Sequence, residues 1–166
     1  MPDAERLFDE HHQSLYRYLV RFSGDADLAA DAVQEAFLRL VERPPPDADF
    51  GRAWLFKVAT NVVLEAARTR SRRTRLLAAS PARAPVGDPP RSPSDLVEAD
   101  EQRRMVIEAL GALSDKERTA LLMREEGFSH REIAQAVGTT TGSVGTLVAR
   151  ALARLADELA LDRDDI

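Results

Sequence analysis

A cluster of arginines near the middle of the chain is the first feature with recognisable chemistry. The basic residues of this segment are Lys57, Arg68, Arg70, Arg72, Arg73 and Arg75. Such groups bind nucleic-acid phosphates with release of counterions, so binding weakens steeply as salt is added. The cluster therefore predicts a nucleic-acid surface. The alternative interpretation is a helix end that is basic only because it is well solvated.

Aromatic and amide side chains precede these arginines. Phe50, Trp54 and Phe56 are candidates for stacking on unpaired bases. Asn61 is a candidate for a polar contact to a base edge or a sugar. A single tryptophan in a small helical bundle is more often part of the core, and that alternative stays open for Trp54.

A second candidate nucleic-acid surface lies in residues 129–155. Ser129 and Glu132 have the spacing of a capping box, which predicts the start of a short helix that ends at Gly138. Three threonines then lead into a longer helix, so the segment has the pattern of a helix-turn-helix. The start of the second helix enters the major groove in such units, and its free amides favour a phosphate. A helical hairpin without a DNA role is the alternative.

Amphipathic helices must position these surfaces. Three segments before residue 78 carry apolar residues at three- and four-residue spacing, which predicts three helices that share a core. Gly24 and Asp25 separate the first two helices, and Pro44 to Pro46 end the second. The apolar positions are Leu7, Phe8, Leu15, Leu19 and Phe22, then Ala29, Val33, Ala36, Phe37 and Leu40, then Leu55, Val58, Ala59, Val62 and Ala66.

A proline-rich stretch divides the chain. Residues 78–94 read AASPARAPVGDPPRSPS and show no periodicity, so we expect an extended, partly flexible linker. The prediction is an all-α protein with a three-helix domain over 1–77 and a helix-turn-helix domain over 95–166. In the second domain Ser114 and Glu117 form a capping box. Its predicted inward residues are Val106, Ile107, Leu110, Leu113, Val144, Val148, Ala151, Leu152, Leu155 and Leu159.

Charge is distributed unevenly along the sequence. The net charge of the chain is −5, but residues 51–95 carry +6 while residues 1–50 carry −6 and residues 96–166 carry −5. A local basic region is what DNA contact through one surface requires. The acidic remainder can keep an isolated protein off DNA or contact basic partners.

The sequence gives little support for an enzyme or a metal-binding site. The chain has no cysteine, which excludes disulfides and thiolate metal sites. His11 and His12 are adjacent, so they face different ways on a helix, and no triad or metal cluster is legible around them. We expect no enzyme activity, no cofactor and no metal. No apolar run approaches the roughly 20 residues that cross a bilayer, so we expect a cytoplasmic protein without membrane insertion.

Two stretches resemble one family of bacterial proteins. AADAVQEAFLRLVER (29–43) with AWLFKVATNVVLEAARTRSRR (53–73) resembles the core-binding and promoter-melting segment of sigma factors. Residues 109–155 resemble their C-terminal helix-turn-helix domain. The order, the spacing and the linker are similar to those of the two-domain extracytoplasmic-function (ECF) group. The resemblance implies a sigma factor that directs RNA polymerase to promoters and starts transcription.

The resemblance also implies partners and contact residues. Expected partners are the clamp helices and flap of core RNA polymerase, promoter DNA and an anti-sigma factor. The loop 43–52 and the helix after it would form a pocket for a flipped base of the non-template strand. Candidate contacts to the polymerase are Asp31, Gln34, Glu35, Leu38 and Arg39. Candidates for the promoter −10 element are Phe50, Trp54, Lys57, Asn61, Arg68, Arg70, Arg72 and Arg73. Candidates for the −35 element are His130, Arg131, Thr141, Ser143, Thr146 and Arg150.

The predicted recognition helix departs from the family pattern. The family has a lysine where this chain has Gly145 and an arginine where it has Leu147. Two phosphate contacts are therefore missing, and a sigma-like decoy that sequesters an anti-sigma factor is the alternative function. The basic third helix argues against a decoy, which has no need to hold melted DNA. A one-component helix-turn-helix regulator is a weaker alternative, because it does not explain the first domain.

Overall fold

The chain folds into seven α-helices within the residues that the structure describes. This computed structural model describes residues 3–78 and 97–164, and it contains no strand in those ranges. The helices are α1 (Ala4–Ser23), α2 (Ala26–Glu42), α3 (Gly51–Ala78), α4 (Val97–Gly111), α5 (Asp115–Glu125), α6 (His130–Val137) and α7 (Thr141–Asp164). A short 3₁₀ helix over Ala48–Phe50 leads into α3. The all-α prediction is confirmed.

Local capping chemistry sets several helix boundaries. Gly24 ends α1 at a φ of 70°, a conformation that glycine adopts without steric cost. The Asp25 carboxylate then accepts a hydrogen bond from the Leu28 amide at 3.0 Å and caps α2. Ser114 and Glu117 form the predicted capping box at the start of α5, with the two reciprocal hydrogen bonds at 3.2 and 3.1 Å. These boundaries agree with the sequence-based prediction.

Helices α1, α2 and α3 pack as a three-helix unit, which we call the first bundle. Leu15, Leu19, Leu40 and Leu55 are almost completely buried between them. One buried polar contact crosses this core, because the Tyr18 hydroxyl lies 2.9 Å from the Thr60 hydroxyl. Burial of the Tyr18 ring raises the pKa of its phenol far above the ordinary value, so the residue stays neutral.

Helices α4 to α7, the second bundle, contain the helix-turn-helix. Helix α6 ends at Gly138 with a φ of 76°, and the turn 138–140 leads into α7. Val144, Val148 and Ala151 point inward as predicted. Val106 and Leu152 were predicted inward, but 41% and 47% of their surfaces are exposed.

The two bundles pack against each other and share one hydrophobic cluster. Phe56 of α3 lies between Tyr18 of α1 and Phe128 of the α5–α6 turn, with ring centroids 4.9 and 4.8 Å apart. Phe56 is completely buried, so its ring is not available to stack on a base in this structure, and its role in stacking stays a prediction. The predicted linker 78–94, except Ala78, lies outside the described residues, and the predicted domain boundaries stay a prediction.

Candidate nucleic-acid interface

The exposed face of α2 carries the predicted polymerase contacts. Asp31, Gln34, Leu38 and Arg39 are exposed. Glu35 is partly buried and accepts a hydrogen bond from Arg39 Nε at 2.8 Å. The opposite face of the helix buries Ala32, Val33, Ala36 and Phe37 in the first bundle. The structure therefore brings the five predicted residues together on one side of α2.

The second half of α3 forms the basic surface. Arg68, Arg70, Arg72 and Arg73 are all exposed there. Arg70 is paired with Asp25 at 3.2 Å. The pKa of Asp25 is lowered, first because its carboxylate accepts the Leu28 amide at the start of α2 and then because Arg70 is close. Asp25 thus holds Arg70 near the junction of α1 and α2.

The first turns of α3 and the 3₁₀ helix before it carry the predicted stacking residues. Phe50 and Trp54 are half-buried. They line a cleft whose other wall is α6, with Glu132 and Gln135. The guanidinium of Arg131 lies 5.4 Å from the centre of the Phe50 ring. A −10 candidate and a −35 candidate therefore contact each other in this structure.

Lys57 and Asn61 lie one and two turns further along α3. Both are exposed, and both line a second cleft between the bundles. The opposite wall of this cleft includes Asp115 and Lys116 at the start of α5. Arg68 lines this cleft as well, so the group of −10 candidates that faces the second bundle extends into the arginine surface.

The start of α7 presents hydroxyl groups and glycines. Thr141, Thr146 and Arg150 are exposed, Ser143 is half-buried, and His130 is exposed at the start of α6. The hydroxyls of Thr140 and Ser143 lie 2.7 Å apart. A Cβ atom added to Gly145 would meet nothing within 4 Å, so the position is open to solvent. Leu147 is half-buried against the core, which leaves less room for the arginine that the family has there.

Comparison with known proteins decides the family. Residues 7–73 match the family described as "Sigma-70 region 2", and residues 103–155 match "Sigma-70, region 4". The chain is 36% identical over 165 residues to the ECF RNA polymerase sigma factor SigL of Mycobacterium tuberculosis, covering 95% of this chain and 90% of that protein. This chain belongs to the ECF sigma factors. It is also 31% identical to SigE of Mycolicibacterium smegmatis, covering 96% of this chain and 63% of that protein.

Solved structures of sigma factors share the fold. RpoE of Bartonella quintana in complex with the anti-sigma factor NepR superposes with a TM-score of 0.69 at 22% identity, covering 95% of this chain and 97% of that one. CnrH in complex with the cytosolic domain of CnrY gives a TM-score of 0.70 at 22% identity, covering 96% of this chain and 88% of that one. As an RNA polymerase sigma factor, the chain directs promoter recognition and transcription initiation, and the decoy alternative is not favoured.

Two arginines that sequence reasoning missed lie between the bundles of this sigma factor. Arg52 of α3 is placed 4.0 Å over the Phe128 ring, and Arg118 of α5 is placed 4.3 Å over the Phe22 ring. Burial lowers the pKa of Arg118, and the nearby Asp115 opposes that shift. Neither arginine belongs to the basic cluster or to an apolar stripe, so no sequence signal marks it.

His11 and His12 are the residues that the sequence offers for catalysis or metal binding, and each has the contacts of a common helix residue. His12 stacks on Phe8 with ring centroids 4.4 Å apart, and its Nδ1 lies 2.6 Å from the Phe8 carbonyl oxygen. The pKa of His11 is lowered, mainly by burial. Within the described ranges no three histidine or acidic side chains group closely enough to hold a metal ion. None of the helices described there is long and apolar enough to cross a membrane.

Proposed function

We propose that this sigma factor uses three separate surfaces to start transcription. The exposed face of α2 binds the clamp helices of core polymerase. The exposed side of α3 holds the melted −10 strand, and the start of α7 contacts −35 DNA while the second bundle contacts the polymerase flap. The bundles act as two domains, over 1–77 and 95–166, joined by the segment 78–94. The protein acts in the cytoplasm as an initiation factor and not as an enzyme.

The composition of the α2 face is the observation that carries this proposal. A solvated helix face is usually polar throughout, but Leu38 exposes 58% of its surface among charged residues. Val41, one turn along, exposes 68%. Apolar side chains inside a charged rim are typical of a protein interface, where the apolar part is desolvated and the charges select the partner.

An anti-sigma factor is a further proposed partner. Two solved proteins with this fold, RpoE and CnrH, are in complex with an anti-sigma factor and with the cytosolic domain of CnrY, respectively. The exposed apolar residues of α2 and the basic side of α3 offer such a partner both apolar and charged contacts. Binding there would compete directly with polymerase or promoter DNA.

Charge reversal on α2 tests the polymerase contact. Asp31→Lys with Glu35→Lys replaces two acidic side chains with basic ones. If the facing surface of the polymerase is basic, the new charges repel it, so core binding should weaken by about tenfold or more. Helicity should fall only slightly, because both residues lie on the exposed side of α2 and the variant loses only the Glu35–Arg39 pair there. The measurement is a titration of labelled sigma factor with core polymerase, together with circular dichroism.

The matched control reverses two acids with the same four-residue spacing in α1. Glu5 and Asp9 are exposed on another face of the first bundle. Glu5→Lys with Asp9→Lys should leave core binding within about twofold of the parent, since exposed charges far from an interface are screened by salt. If the α2 variant binds core polymerase as tightly as this control, the proposed contact is wrong.

A further inference from the structure

The outward face of α7 carries two side-chain methyl groups near the start of the helix. Val144, Val148 and Ala151 are buried, and they define the inward side of α7. With about 3.6 residues per turn, the positions on the opposite side of the helix include Thr146 and Ala149. Both residues are exposed. Their methyl groups are therefore available to a partner that lies along this face.

The rest of this face has few side chains that could read a base by hydrogen bonds. Bidentate contacts to bases come from arginine, lysine, asparagine and glutamine, and carboxylates accept from cytosine. None of these residue types occurs in 141–149, and Arg150 is the first. The Ser143 hydroxyl lies 2.7 Å from the Thr140 hydroxyl, so it is already engaged at the start of the helix. Base discrimination by the first turns of α7 must rest on another kind of contact.

Thymine offers that contact in the major groove of DNA. Its C5 methyl is an apolar group on a base edge, and alanine and threonine methyl groups pack against it. Thr146 and Ala149 are three positions apart, which corresponds to about 4.5 Å along the helix axis. Successive base pairs are about 3.4 Å apart. The spacing of the two methyl groups therefore fits thymines in neighbouring base pairs.

Short side chains reach a base edge only when the helix backbone lies close to it. Gly142 precedes Thr146 by one turn on the same face, and a Cβ added there would meet nothing within 4 Å. Its φ is not positive, so neither packing nor backbone conformation requires a glycine at this position. Glycine is a poor helix former, but it lets a ligand approach the backbone closely. A close approach of DNA accounts for its presence.

We propose that α7 recognises thymine in the −35 element by methyl contact, through Thr146 and Ala149, with Gly142 admitting the DNA close to the backbone. The proposal rests on the proposed function, because it needs α7 to lie in the major groove at this element. It makes Ala149 a specificity residue, which the family resemblance does not assign. The absence of basic side chains at 145 and 147 then lowers affinity without removing base discrimination.

Deoxyuridine tests the proposal, because it differs from thymidine only in lacking the C5 methyl. Holoenzyme made from core polymerase and the full chain is first used to select promoter fragments from a random duplex library. Each thymidine of the selected −35 element is then replaced by deoxyuridine, one at a time. Two positions in neighbouring base pairs should each lose about threefold to fourfold in holoenzyme affinity, as expected for one methyl group removed from an apolar contact.

Thr146 variants separate its methyl group from its hydroxyl. Thr146→Ser keeps the hydroxyl and removes the methyl, so deoxyuridine should no longer matter at one of the two positions. Thr146→Val keeps a methyl and removes the hydroxyl, so the preference for thymidine should remain. If serine retains the preference and valine loses it, the hydroxyl makes the contact and the proposal is wrong.

Ala149→Gly should remove the effect of deoxyuridine at the second position. Its matched control is Ala156→Gly, an exposed alanine two turns further along α7. Both substitutions weaken the helix to a similar degree, but base contacts come from the first turns of a recognition helix. The control should therefore keep both thymidine preferences. Circular dichroism checks that all variants fold.

Two further results would overturn the proposal. One is equal affinity for thymidine and deoxyuridine at every position of the −35 element. The other is a deoxyuridine effect that persists unchanged in Thr146→Ser and Ala149→Gly, which would assign the methyl contact to another part of the holoenzyme. Failure of the chain to bind core polymerase would be a different result, because it would contradict the proposed function itself.

Discussion

The exposed side of α3 and the start of α7 are both proposed DNA surfaces, but they differ in charge. Arg68, Arg70, Arg72 and Arg73 are exposed within two turns of α3. The first six residues of α7 carry no charged side chain, and the first arginine of that helix is Arg150. Phosphate contacts supply most of the salt-dependent affinity of DNA-binding proteins. We therefore expect the first bundle to supply most of the electrostatic part of DNA binding.

The start of α7 offers a different kind of phosphate contact. Helix N-terminal amides and hydroxyl groups can orient a helix on a phosphate without a side-chain charge. Thr141, Ser143 and Thr146 supply hydroxyl groups there, while Gly142 and Gly145 leave the helix surface bare. We expect such a helix to bind DNA weakly unless the polymerase holds it near the DNA. The comparison between α3 and α7 gives the predictions that follow.

The largest effect is expected from removing charge on α3. Replacing Arg72 and Arg73 with alanine should reduce open-complex formation and should lower the log–log salt slope of promoter binding by about two units, one for each lost phosphate contact. The slope is measured by titrating holoenzyme on a promoter fragment at several salt concentrations. Helix stability should be little affected because both residues are exposed and alanine favours helices.

The control for this pair removes two exposed arginines from the second bundle. Arg103 and Arg104 lie on α4, outside both proposed DNA surfaces. Arg103→Ala with Arg104→Ala changes the net charge by the same amount and should leave the slope unchanged. If both double variants lower the salt slope by the same amount, the net charge of the protein governs binding, and not the arginine surface of α3.

A smaller effect of opposite sign is expected from adding charge to α7. Gly145→Lys restores the basic residue that the sequence-based resemblance assigns to this position, and a side chain has free space there. Promoter binding by holoenzyme should become tighter at low salt and should gain about one unit of salt slope, largely independently of base sequence. Leu147→Arg is a poorer probe because Leu147 is half-buried and packs on the core.

Gly145→Ala separates charge from helix propensity. Both substitutions replace a glycine within a helix, which stabilises α7 by up to about 1 kcal/mol. Only the lysine adds a phosphate contact, so only the lysine variant should change the salt slope. If both variants bind alike at low salt, α7 does not lie against the phosphates as proposed, and the contrast with α3 is then even larger.

Much of the fold was predictable from local sequence. The Gly24 and Asp25 boundary, the Ser114 and Glu117 capping box and the helix-turn-helix follow from residue chemistry within a few positions of each other. Hydrophobic spacing also predicted most of the first core. These features were predictable because their causes act over one or two helical turns.

The packing between the bundles was not predictable in this way. Phe56 follows Leu55 and looks like an off-stripe aromatic available for stacking, yet Phe128, 72 positions later, covers it. Gly24 was predicted only as a helix break, but a Cβ there would also lie 2.9 Å from Ile107 of α4. Arg52 and Arg118 are polar residues that stack on distant rings. Long-range packing leaves no periodic signal in a single sequence.

The smallest effect is expected at Arg70, which is already paired with Asp25. Asp25→Asn keeps an oxygen that can accept the Leu28 amide, and asparagine caps helices about as well as aspartate. The substitution therefore removes mainly the exposed ion pair, which should cost about 0.5 kcal/mol of unfolding free energy. Arg70 is then released toward the DNA, and promoter binding should tighten by less than about twofold. Chemical denaturation and a promoter titration measure the two effects.

The pH dependence of stability gives the same test a second readout. The pKa of Asp25 is lowered in the folded chain, so its stabilising contribution is present above the unfolded value of about 3.9 and is lost as pH falls through the lower folded value. The asparagine variant has no such loss, and the stability gap between parent and variant should narrow in that acidic range. Asp25→Ala, which removes cap and pair together, should cost about 1.5 kcal/mol at neutral pH. If Asn and Ala cost the same, the ion pair contributes more than the cap. If Asp25→Asn leaves promoter binding unchanged, Arg70 stabilises the fold and does not contact DNA. The DNA surface of α3 then contains fewer arginines than are exposed on that helix.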